Sequence, residues 1–336
     1  LIVTVDGVVV HEFLDPALAA RKVTFGPASP ESLGSVLATP NDALGAANDA
    51  FHTAPLALSV PRGVAVEAPI VVVHLTVSDG IATFPRLVVH AGDNAEVSVL
   101  EVFESGDVLS LVAPVTELLA STAARVRYLA VNQLGNRVWQ VSSLASVGER
   151  DSSTTIGSAM LGGDYARSRI DARLVGVGAH TDQVAVYFAD GDQMHDVRTI
   201  QDHQAPKTTS NLLFKGAVAG HANSVYTGLI KVRPEAAGTR ALQTNRNIKL
   251  SDGAWAESVP NLEIENNDVQ CSHASSVGPI DADERFYVES RGVPPSIAER
   301  LIVLGFFDEV LDRLPVPAVG PMLRQAVADK LERSEA

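Results

Sequence analysis

Between Leu56 and Ser275 the chain keeps returning to one pattern: short runs of alternating apolar and polar residues, rich in Val, Ile and Thr and punctuated by Gly, Asp and Asn. Period-two alternation sends successive side chains to opposite faces of a strand. Over so long a stretch, with almost no helical spacing, it dictates an all-β architecture. Leu87-Val88-Val89-His90 before the turn Ala91-Gly92-Asp93-Asn94, Val184 to Phe188 after Gly178, and Val225 to Ile230 after Gly220 are clear instances. The turns return at irregular intervals. A pair of sandwiches, a propeller and a solenoid all accommodate such a pattern. The small-residue corners and an aromatic content of only 5% favour the solenoid, whose stacked coils bury aliphatic ladders and turn on small residues.

The flanks differ. Residues 1 to 55 mix short strand-like runs with a helix expected over Asn41 to Phe51, Asn41 being the N-cap. From about Ile280 the spacing becomes helical. Phe286 to Arg291 predicts a short helix ended by Gly292, and Ser296 with Glu299 form a capping box after Pro294-Pro295. Ile297, Leu301, Leu304, Val310, Leu311 and Leu314 then fall on one face of an amphipathic helix, and Pro321 opens another that carries Leu323, Val327 and Leu331. The division expected is an N-terminal mixed region (1–55), a β core (56–275) and a C-terminal helical domain (276–336). The default role of the long helix is packing on its own chain; docking a partner is the sharper alternative, which the adjacent Phe306 and Phe307 bring into consideration because aromatics are enriched at interface cores.

The formal charge of −14 repels phosphate, so neither nucleic acid nor an acidic membrane surface is an expected partner. The longest apolar run, Pro69 to Val77, is broken by His74 and falls far short of the roughly 20 residues of a membrane span. The strand-like start at Leu1, with no Met, no basic stretch and no cleavage site, suggests that a native N-terminal portion is missing. The single cysteine, Cys271, forms no internal disulfide, which fits a reducing, cytoplasmic setting.

Catalytic signatures are missing. No Gly-rich loop ends in Gly-Lys-Ser/Thr, Gly176-Val177-Gly178 is followed by Thr181 where a dinucleotide fingerprint needs a small residue, and neither His-Glu-x-x-His nor a nucleophile elbow occurs. One cysteine cannot hold a four-thiolate cluster. No catalytic residue and no tightly bound cofactor are therefore expected.

Two constellations carry possible chemistry. Asp192, His195, Asp196, Asp202 and His203 lie within twelve residues and either bind a transition metal or hydrogen-bond the backbone of β corners. Cys271 and His273 are two apart, so on a strand they project together. They either coordinate iron or pass on sulfur, or are a small buried thiol and a hydrogen-bonded imidazole.

The ordered motifs Asp202-His203-Gln204-Ala205-Pro206-Lys207-Thr208-Thr209-Ser210, Lys215-Gly216, Tyr226-Thr227-Gly228, Gln243-Thr244-Asn245-Arg246-Asn247, Val259-Pro260-Asn261-Leu262-Glu263-Ile264, Asp268-Val269-Gln270-Cys271-Ser272-His273, Phe286-Tyr287, Ser290-Arg291-Gly292 and Gly305-Phe306 resemble the SufB/SufD family of the SUF iron-sulfur cluster assembly system. Pro55-Leu56, Pro61-Arg62-Gly63-Val64 and Glu67-Ala68-Pro69-Ile70 resemble the start of its β region, so the likeness covers about Pro55 to Leu314.

The resemblance implies a right-handed parallel β-helix followed by a helical domain, in a complex of one SufB, one SufD and two copies of the ATPase SufC. It implies β-helix pairing with a SufB-like paralogue and SufC docking on the C-terminal helices, for which Arg291, Gly292, Phe306 and Phe307 are the candidates. Arg246 stands where SufB carries a cysteine, and His273-Ala274 where SufB tends to have His-Glu, which favours the SufD branch. His273 matches a histidine proposed to sit at the subunit boundary beside a transient nascent cluster, with Cys271 next to it. The expected role is a non-catalytic scaffold, which when alone is either a monomer or a homodimer. The alternative is a polysaccharide-active β-helix enzyme using Asp192, Asp196 and Asp202, disfavoured by the few aromatics.

Overall fold

The computed structural model describes residues 1–335. The N-terminal region contributes β1 (Ile2–Val5), β2 (Val8–Glu12), α1 (Pro16–Ala20), β3 (Thr24–Pro27) and α2 (Ala43–Phe51). The first coils follow as β4 (Leu56–Val60), β5 (Ile70–Thr76), β6 (Ile81–Thr83), β7 (Arg86–Ala91), β8 (Glu96–Ser105), β9 (Ser110–Val112), β10 (Val115–Ala120) and β11 (Arg125–Gln133). The longer coils are β12 (Val138–Gly148), β13 (Ser153–Met160), β14 (Tyr165–Leu174), β15 (His180–Ala189), β16 (Met194–His203), β17 (Thr209–Val218), β18 (Asn223–Val232), β19 (Thr239–Lys249), β20 (Trp255–Ile264) and β21 (Val269–Pro279). Helices α3 (Ala282–Glu289), α4 (Pro295–Leu311) and α5 (Gly320–Glu335) complete the chain.

The strands alternate between two sheets, so the chain winds as a parallel β-helix of about eight turns. Sheet A runs β2-β1-β5-β8-β11-β13-β15-β17-β19-β21, and sheet B runs β20-β18-β16-β14-β12-β10-β7-β4-β3. Ladder partners in successive coils of sheet A, such as Ser153, His180, Thr209, Arg240 and Gln270, are 27 to 31 residues apart. The residues before Leu56 do not stand aside as a separate region. Strand β1 pairs in parallel with β5, and β3 pairs antiparallel with β4, so both extend the sheets.

Inward positions hold the core. Val72, Val97, Val99, Tyr128, Ile156, Tyr187, Phe214 and Tyr226 belong to one continuous apolar cluster between the sheets. The interior is also partly polar. His74 bridges Thr4 and Glu101 (2.8 and 3.0 Å), and Glu101 also accepts hydrogen bonds from Thr116 and Tyr128. In the later coils Tyr187 Oη donates to Asn247 and accepts from Asn245, both at 2.7 Å. Each such bond lets a buried polar group avoid the 1–3 kcal/mol or so that an orphan would cost.

The segment between β3 and α2 lies against the outer face of sheet B. The buried Glu117 carboxylate accepts the backbone N–H groups of Gly34, Val36 and Leu37 and pairs with Arg86. The cap of α2 is Asp42, not the expected Asn41, and its carboxylate takes the Leu44 and Gly45 N–H groups while pairing with Arg167.

The helices fold back over the outer face of sheet A. Helix α4 buries Ala298, Val303, Phe307, Val310 and Leu311, and Phe307 stacks on Phe188 with ring centroids 6.3 Å apart. The face expected from spacing is thus only half right. Ile297 and Leu301 point to solvent, because this helix carries apolar residues on more than one side. Its N-cap is Pro294 with no side-chain hydrogen bond, so the Ser296/Glu299 capping box does not form. Gly157 makes the docking possible, since a Cβ there would lie 2.6 Å from the Pro315 ring.

Two buried lysines clasp the helices to the solenoid. Lys215 of β17 donates to the Phe306 carbonyl (2.7 Å) and pairs with Glu309 (2.6 Å). Lys330 of α5 reaches the other way, to the Leu161 carbonyl, Gln193 and Asp190.

Candidate functional site

A solenoid satisfies each strand through the coils on either side of it. β20 and β21 end their sheets, so each keeps one edge of backbone N–H and C=O groups unpaired. Such edges are templates for another strand. Side chains that earlier coils bury are uncovered here: Leu262, Ile264 and Val277, facing inward by register with Ile230, Val232 and Asn247, are each about 40% exposed. The end of the β-helix is an open, partly apolar mouth.

Cys271 and His273 lie in that mouth. Their ladder partners are Ala241 and Gln243, both buried inward-facing residues of β19. The alternation therefore aims thiol and imidazole the same way, into the open end. Cys271 is half-buried and His273 exposed. Burial pushes the Cys271 thiol pKa up, against a smaller opposing effect of the Ala241 backbone N–H, so the free chain holds a thiol and not a thiolate at neutral pH. The Gln243 carboxamide beside His273 finds no hydrogen-bond partner among the described residues. One thiol and one imidazole are two donors, and iron held by thiolate and imidazole needs four. Among the described residues no group of three or more His, Cys, Asp or Glu is placed to hold a metal.

The acid and histidine cluster of β16 is not a site. Alternation divides it: His195 and His203 point into the core, while Asp196 and Asp202 point outward and pair with Arg198 (2.7 Å) and Arg233 (2.9 Å). Asp192 lies on an exposed turn. His203 is held by Thr208 and Ser210, each at 2.8 Å. Burial, aided by the Lys330 ammonium, lowers the His195 pKa to about 3, and burial lowers that of His203 to about 4. Both are neutral core histidines, and the acids are neutralised apart from one another, so the polysaccharide-enzyme reading gains no geometric support.

On the helices, the docking candidates separate. Phe307 is fully buried and belongs to the packing against sheet A, while Phe306 is half-buried under the Lys215 ammonium, 4.5 Å from its ring. Arg291 stacks over Tyr287 and bonds its hydroxyl (3.0 Å), and Gly292, at φ 86°, makes the turn between α3 and α4. The large apolar groups that reach solvent are Phe286 and Tyr287 of α3, Ile297 and Leu301 of α4 and Met322 of α5. Sequence spacing assigns Ile297 and Leu301 to the buried face. The legible signal of the surface was the excess of apolar residues around α4.

Residues 74–306 match a family model described as SUF system FeS cluster assembly, SufBD core domain. An iron-sulfur cluster assembly SufBD family protein of Mycobacterium tuberculosis is 33% identical over 305 residues, covering 88% of this chain and 76% of its own length. The iron-sulfur cluster assembly protein SufD of Bacillus subtilis is 29% identical over 283 residues, 82% of this chain and 64% of that protein. No helix is long and apolar enough to cross a membrane among the described residues.

The two core histidines set a pH dependence. Their folded pKa values lie below the ordinary 6.5, so on acidification the unfolded chain takes up protons that the folded chain refuses. Stability is then lost as pH falls through 6.5 toward 4. Between pH 6.5 and 5 each histidine should cost about 2 kcal/mol. Urea melts at pH 7 and pH 5 should show this loss, and the His195→Gln/His203→Gln variant should have a flatter slope over that interval. An unchanged slope would contradict neutral burial.

Proposed function

The chain belongs to the SufBD family of the SUF iron-sulfur cluster assembly system, and from that premise we propose that it is a SufD-type scaffold subunit: its open coil pairs with a SufB-like paralogue, and its helices dock a SufC-like ATPase. The observation that carries the reading is the pair of unsatisfied edges on β20 and β21 bordering the mouth that holds His273. A second β-helix whose last coil presents two free strands would complete both ladders and cover the exposed Leu262, Ile264 and Val277. Backbone pairing of this kind supplies affinity, and the flanking side chains supply choice of partner.

Within such a pair the nascent cluster is cargo. His273, with Cys271 beside it, offers too few donors to retain a cluster, so the partner's thiolates would hold it and the imidazole would complete the site. The raised thiol pKa of Cys271 makes His273 the better donor in the free chain. The sequence contains no Gly-rich loop ending in Gly-Lys-Ser/Thr, so work from ATP would reach this subunit through its helices. The solvent-facing apolar groups Phe286, Tyr287, Ile297 and Leu301 form the surface for that contact, and Arg291 and Gly292 set the turn that holds α3 beside α4. The SufBD assembly, at work where thiols stay reduced, fits a cytoplasmic setting.

In a complex reconstituted with SufB- and SufC-like subunits, His273→Ala should lower the yield of assembled cluster several-fold while leaving thermal unfolding of the isolated chain unchanged. An unaltered yield would remove His273 from the site. Leu301→Asp should weaken binding of the ATPase subunit at least about tenfold, read by calorimetry, with the β-helix intact by circular dichroism. Undiminished affinity would exclude this face.

A further inference from the structure

The chain has two tryptophans, and the fold brings both to the outer face of sheet B in one column. Trp139 pairs with Tyr165, Tyr165 with Met194, Met194 with Asn223, and Asn223 with Trp255. The strip crosses four rungs of about 4.8 Å, or about 19 Å. Trp139 and Trp255 are 52% and 46% exposed, though large aromatics are normally withdrawn from water. The Trp139 and Tyr165 rings pack with centroids 5.5 Å apart, and the Trp139 indole N–H donates to Asp164 (2.8 Å), which fixes the ring on the surface.

The unpaired charges along this strip are mostly carboxylates, with exposed Arg137, two residues before Trp139, turned toward Asp79 (3.8 Å). Asp164, Asp192 and Asp252 lie exposed on the turns that lead into β14, β16 and β20, and Glu257 is exposed two residues beyond Trp255. The neighbouring cations are spent within the chain: Arg167 pairs with Asp42, and Arg198 with Asp196. An aromatic surface edged by free carboxylates attracts cations twice, by ion pairing and through the π faces. We infer that this column is a docking strip for a basic, extended segment of a partner polypeptide, about six residues long, whose Arg or Lys side chains stack on Trp139, Tyr165 and Trp255 and pair with the carboxylates beside them. The strip lies on the face opposite the helices and reaches the open coil at β20, so such a segment would be held alongside the mouth.

Because both tryptophans lie in the strip, intrinsic tryptophan emission of the full chain reports on it alone. Titration with a decapeptide of alternating Arg and Ser should shift the emission saturably, with affinity falling about tenfold between 20 and 200 mM salt. Asp192→Asn/Asp252→Asn/Glu257→Gln should weaken binding at least about fivefold. Glu31→Gln/Glu67→Gln/Glu104→Gln removes the same charge elsewhere and should leave it nearly unchanged. Equal weakening by the two triple variants, or an equal response to a Glu-Ser decapeptide, would overturn the proposal. So would a saturable shift with neutral maltohexaose and none with the Arg-Ser peptide, which would make the strip a sugar platform.

Discussion

The fold rests on parallel backbone ladders between coils some thirty residues apart in sequence. No strand after the first few is stable by local contacts; each is held by the N–H and C=O groups of the coil before it and the coil after it. Continuity of the ladder explains why β1 and β3 are drawn into the two sheets. It also explains why the last coil is chemically different from all the others. Where the ladder stops, β20 and β21 keep free edges and inward apolar side chains meet water.

Strand alternation then decides which residues can act together. It puts Cys271 and His273 in one mouth, over Ala241 and Gln243. It also separates His195 from Asp196 and Asp202 from His203, although these are neighbours in the chain. The same rule, applied to the outer face of sheet B, collects Trp139, Tyr165 and Trp255 into one column. The helices contribute differently. Their inner face, with Val303 and Phe307, is spent on sheet A and secured by Lys215 and Lys330, which leaves Ile297 and Leu301 outside.

Much of the fold was legible. Period-two runs such as Val184 to Phe188 lie inside strands of the structure, and the change to helical spacing after Ile280 marks the end of the solenoid. The pairing of coils was not legible, because repeats of 26 to 32 residues with unlike turns leave no fixed period to detect. The two faces of α4 were not separable either, since spacing cannot rank apolar stripes when a helix has more than one. Cys271 and His273 stood out by residue type and separation, but their exposure depends on being in the last coil, which no local pattern records. The aromatic column was invisible for a similar reason: its members are 26 or more residues apart and meet only through the ladder.

On the function proposed above, a paralogous subunit joins at the unpaired edges of the last coil. Amide hydrogen exchange across 255–279, measured for the chain alone and mixed with a SufB-like partner, tests it directly. Fast exchange is expected on the free edges of β20 and β21 in the isolated chain, with strong protection there in the complex. Complex formation with those amides still exchanging freely would contradict it.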